Sequence, residues 1–125
     1  MNPEPFDLSL LSQRVVKEIE TYHYDFPDNA IGNPWTDAAI QNGLAQIRAS
    51  LIEPYWAEVE IRDTFEQVGM IAGPRRKCAV VADDGKGMLL LFDPAEDSFV
   101  LAERGSTGLT TFGVRGDAVG CFLAR

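Results

Sequence analysis

A single histidine, two cysteines and no apolar run of bilayer-spanning length are what the sequence conspicuously offers too little of, and each shortage removes a class of function. His23, Cys78 and Cys121 are too few and too scattered to complete a tetrahedral zinc set, so no metal and no cofactor is expected. A lone histidine among aromatic residues is more often a hydrogen-bonded packing residue than a base. About 20 consecutive apolar residues are needed to cross a bilayer as a helix, and no stretch reaches that length. Met1-Asn2-Pro3-Glu4-Pro5 lacks the basic start and apolar centre of a signal peptide. The cytoplasm is the expected location, and no membrane partner is expected. In that compartment both thiols are expected to be reduced, buried and unreactive.

Bases are scarce in one half only. Residues 1–66 hold twelve acids against four bases, whereas residues 67–125 hold seven of each, so the entire net charge of −8 resides in the first half. A surface of that sign repels a phosphate backbone, which argues against nucleic acid as a partner. It attracts basic partners and speeds their approach at low salt. Solubility alone is the plainer account of the same excess.

What is present reads as a single α+β domain spanning residues 1–125: two N-terminal helices packed on a mainly antiparallel sheet of about five strands. The centre of the sheet is expected at residues 77–92, where two continuous apolar runs flank Asp83-Asp84-Gly85-Lys86-Gly87. Glycine accepts the positive φ of a hairpin turn, and unbroken apolar runs belong to strands covered on both faces. Leu8, Leu11, Val15, Ile19 and Tyr22 recur at helical spacing, widened by Leu10 and Val16, with Asp7 or Ser9 as cap and Arg14 within reach of Glu18. A second helix is expected after Thr36, with Trp35 and Ile40 as a hydrophobic staple, Ile40, Leu44, Ile47 and Leu51 buried, a close contact at Gly43, and an end enforced by Pro54.

From residue 56 to 62 the pattern becomes strict alternation, with Ala57, Val59 and Ile61 facing in and Glu58, Glu60 and Arg62 facing water. Residues 67–72 are expected to form a short strand before a turn at Gly73-Pro74. Arg75-Arg76-Lys77 reads as a solvated basic loop, with anion binding or pairing to first-half acids as alternatives. Further strands are expected at residues 98–103 and 109–114, joined by short turns as a meander. Residues 117–124 fit a short helix capped by Asp117 or a last strand, and the helix is preferred.

No nucleophile–base set is apparent, and no catalytic residue is assigned. The acidic first half, Glu58 and Glu60 on a wet strand face, and the aromatic loop of residues 22–35 instead point to a non-enzymatic protein-binding module. Such a module would be an acidic inhibitor or immunity-like protein covering a basic partner. Its contact residues are expected to be Glu58, Glu60, Asp25 and Asp28 for steering, with Tyr24 and Trp35 as aromatic anchors. An alternative is a small-molecule or enzymatic pocket near His23, with Asp25 orienting it and Tyr24 or Tyr55 donating hydrogen bonds. A structural subunit that forms a homodimer through Trp56 or the wet strand face is a third reading.

Overall fold

Period-two alternation of burial, on strands that are apolar at nearly every position, determines how this chain folds. The computed structural model describes residues 8–22, 36–69, 73–106 and 108–125. In β2 (Arg75–Asp83), β3 (Met88–Asp93) and β4 (Ser98–Gly105), alternate side chains enter two different cores. Cys78, Val80, Leu89, Leu91, Val100 and Ala102 meet Val59, Ile61 and Leu109 on one face. Ala79, Val81, Leu90, Phe92, Phe99 and Leu101 meet the helices on the other. Each strand therefore lacks a polar face, as the unbroken apolar runs require.

The meander continues from β1 (Leu51–Glu60) through to β5 (Gly108–Gly116), and the five described strands close into a barrel in the order β1-β2-β3-β4-β5. Neighbours in the meander are antiparallel, and closure is a short parallel contact pairing Val59 with Leu109 and Glu60 with Thr110. Closure removes the open sheet that alternation alone would suggest. One set of alternating side chains becomes the barrel interior.

The outer face is covered by α1 (Leu8–Thr21), α2 (Asp37–Ser50) and α4 (Ala118–Leu123). Leu11, Val15 and Ile19 of α1 are buried as the spacing predicts, whereas Leu10 points to solvent, 57% exposed. Thr36 caps α2, its Oγ1 accepting from Ala39 N–H at 3.0 Å. Trp35 and Asp7 lie outside the described residues, and Ser9, the other cap named for α1, lies within the helix. Gly43 does sit in close contact: a Cβ there would come within 2.0 Å of Leu123 Cδ2 on α4. The C-terminal segment is the helix, with Asp117 Oδ2 accepting from Gly120 N–H at 2.8 Å.

Three local expectations are corrected. Helix α2 ends at Ser50, ahead of Pro54, and β1 begins at once at Leu51; Pro54 lies in the strand, where pairing with β2 shifts register between Leu51 and Tyr55. An irregular stretch of this kind tolerates the missing N–H of proline. Residues 67–72 do not make a strand where they are described: α3 (Phe65–Val68) occupies the first part, and residues 70–72 lie outside the description. Arg75, Arg76 and Lys77 belong to β2, not to a loop.

Candidate functional site

At the end of the barrel where β1, β3 and β5 meet, polar side chains replace apolar ones. Asp93, the last residue of β3, is fully buried yet polar. Its Oδ2 accepts from Arg115 Nη1 at 2.9 Å and lies 3.3 Å from Arg76 Nε, while Oδ1 accepts from Ala95 N–H at 3.1 Å. Arg115 also donates from Nη1 to Ser98 Oγ at 3.0 Å, and from Nε to Asp63 Oδ2 at 3.2 Å. Asp63 Oδ1 accepts from Gly113 N–H at 3.1 Å. Charged groups this deep persist only when matched in this way.

The electrostatic consequences follow from the partners. Burial alone would push the Asp63 carboxyl up, but hydrogen bonds from Arg115 and Thr111 outweigh it and hold the group below its ordinary value. Burial likewise opposes charge on Arg115, and Asp63 and Asp93 reverse the effect, so its pKa is raised. Desolvation pushes both thiols, buried and free, up to about 12.

Beside this cluster the chain leaves β1 and forms α3 through a reciprocal cap. Thr64 Oγ1 accepts from Gln67 N–H at 3.1 Å, and Gln67 Oε1 accepts from the backbone N–H groups of Thr64 at 3.0 Å and Asp63 at 2.9 Å. The pattern Thr64-x-x-Gln67 is a capping-box signature, and it was the signal for a helical turn where a strand was expected. Arg76, Arg115, Asp63, Thr64, Gln67 and Glu96, with Ile61 as an apolar wall, surround a cavity of about 220 Å³.

Of the residues that the sequence singled out for binding, Asp25, Asp28, Tyr24 and Trp35 lie outside the described residues, as does His23. Glu58 and Glu60, though both on β1, have different surroundings. The Glu58 side chain is 64% exposed and faces Arg75 at 3.5 Å. Glu60 is only 12% exposed. Its Oε2 accepts from Gly73 N–H at 2.6 Å, from Arg62 Nη2 at 2.7 Å and from Arg62 Nε at 3.1 Å. The Gly73 and Arg62 bonds hold its pKa below the ordinary value. Arg62 Nη1 in turn donates to the carbonyls of Gln67 and Val68 at the end of α3, so Glu60 ties down the connection from β1 to β2. Tyr55, raised in the alternative pocket reading, is 43% exposed on β1.

Comparison with models of known protein families gives no match, and neither the curated proteins nor the solved structures contain one.

Proposed function

We propose that this chain is a protein-binding module without catalysis of its own, whose acidic surface covers a basic partner. The observation that carries this reading is the exposed acid on β1. Glu53, Tyr55 and Glu58 are all exposed on one strand, in a chain of net charge −8. Exposed carboxylates supply long-range attraction, and the exposed Tyr55 ring at the start of the regular pairing with β2 offers an anchor. Glu20, Asp37 and Glu66 add further exposed negative charge on α1, α2 and α3 and enter no ion pair among the described residues. Glu60, used internally, is not part of this contact set.

The test is affinity capture on the immobilised chain, followed by titration of any retained partner against salt. Wild type and a Glu53→Lys, Glu58→Lys variant are compared. Retention that weakens with salt, and weakens further on charge reversal, supports the reading. Retention indifferent to both would overturn it.

A further inference from the structure

The cavity beside Asp93 has an unbalanced hydrogen-bond inventory. Its two aspartates are engaged: Asp63 takes Gly113 N–H and Arg115, and Asp93 takes Ala95 N–H and Arg115. Beyond Arg115, its donors are not. Arg76 Nε is buried with no hydrogen-bond partner, because its 3.3 Å approach to Asp93 is an ionic contact without hydrogen-bond alignment. The remaining Arg76 nitrogens, the Gln67 amide nitrogen and the Thr64 hydroxyl proton also find no acceptor among the described residues, but they are open to solvent, and Arg76 Nε alone is a buried donor without one. An unmet buried donor costs about 1–3 kcal/mol and calls for a partner.

We propose that this cavity is a binding site for a small carboxylate, held by Arg76 with Gln67 and Thr64 as secondary donors. Guanidinium presents paired N–H groups that match the two oxygens of a carboxylate. A volume of about 220 Å³ admits one such group together with a short substituent. Charge selects among anions. Asp93 and Asp63 already match Arg76 and Arg115, and Glu96 leaves the surround net negative, so charge opposes a phosphate dianion more strongly than a singly charged carboxylate, for which bonds from Arg76, Gln67 and Thr64 have less repulsion to outweigh. A cation finds only Glu96 still unengaged. The site is independent of the exposed acids on β1.

The experiment follows the Arg76 Nε–H signal by NMR while sodium acetate replaces sodium chloride at constant ionic strength. A saturable shift is expected. Gln67→Glu keeps the oxygen that caps α3 but replaces the donor nitrogen with a like charge, and should weaken acetate by about tenfold or more. Glu96→Gln, which removes the opposing rim charge, should tighten it by roughly two- to five-fold. An acetylated dipeptide with a free C-terminal carboxylate, and its amidated twin, distinguish a polypeptide end from a free small acid. Tighter binding of the free-acid peptide than of acetate names the former, and the reverse order the latter. A non-saturating shift, one unchanged by Gln67→Glu, or phosphate binding tighter than acetate would overturn the proposal.

Discussion

Replacing Asp93 by asparagine keeps the shape of the side chain and removes one charge from a fully buried position. Arg115 retains Asp63, but one bond of its fork loses its charged acceptor, and Arg76 loses the only carboxylate within ion-pair distance among the described residues. Breaking a buried pair from one side costs about 3–5 kcal/mol, and because Arg76 is 34% exposed and can take up water, the lower end applies, about 3 kcal/mol. With unfolding entropy near 2.1 cal/mol/K per residue, 125 residues give about 0.26 kcal/mol/K, so the melting temperature should fall by roughly 11 °C. Urea unfolding and calorimetry measure both quantities. A double-mutant cycle with Arg115→Met isolates the coupling, expected to reach about 1.5 kcal/mol or more for groups in direct contact. A loss below about 1 kcal/mol with additive double-mutant behaviour would show that the cluster is solvated and does not hold the ends of β3 and β5 together.

Other outcomes follow from the same geometry. Glu60 and Asp63 are held below their ordinary values of 4.5 and 3.8, so their stabilisation is complete above those values and disappears as pH falls through the lower folded-state values. Urea stability should therefore be level from about pH 7 to 5 and fall below about pH 4. Glu18 has the opposite sign: burial, with Asp117 adding to it, raises its pKa, so protonation favours the fold, and Glu18→Gln should remove a small gain in stability on mild acidification. Gly73→Ala would place a Cβ 2.7 Å from the Ile61 carbonyl oxygen, against backbone that cannot yield. A loss of about 1–3 kcal/mol in urea unfolding is expected. Both thiols, buried with pKa pushed up to about 12, should resist iodoacetamide at pH 7.5 in the native protein and react readily in urea, as mass spectrometry would show.

The parts of the fold that could be read from sequence are those where side-chain period decides conformation. Leu11, Val15 and Ile19 on α1, the apolar strands around Gly85 and Gly87, and the Asp117 cap are local patterns, and each appears where expected. Barrel closure could not be read, because it rests on the contact of Val59 and Glu60 with Leu109 and Thr110, remote in sequence and unmarked by composition. The same holds for the polar cluster. Asp63, Arg76, Asp93 and Arg115 come from four separate segments, and each taken alone looks like an ordinary surface residue. Helix α3 was legible in Thr64 and Gln67, but the neighbouring apolar residues 68–72 favoured a strand over the cap.

A charge balance counts Glu58 and Glu60 alike, yet the fold gives them different surroundings, and this lets the proposed binding be tested apart from stability. The Glu58–Arg75 pair is 3.5 Å apart with both side chains largely exposed, a contact worth at most about 1 kcal/mol, so a lysine or arginine of the proposed partner would compete with very little. Glu60 meets two charged N–H groups and one backbone N–H on a single oxygen, and its loss releases the segment that carries α3. Glu58→Gln should leave the melting temperature unchanged within the roughly 0.5 kcal/mol typical of surface substitutions, while weakening capture of a basic partner at low salt. Glu60→Gln should do the reverse, lowering the melting temperature as a charged hydrogen-bond acceptor is lost, with partner affinity per folded molecule unchanged. If the two substitutions shift stability and capture in parallel, the distinction between a partner-facing and an inward-working carboxylate on β1 fails.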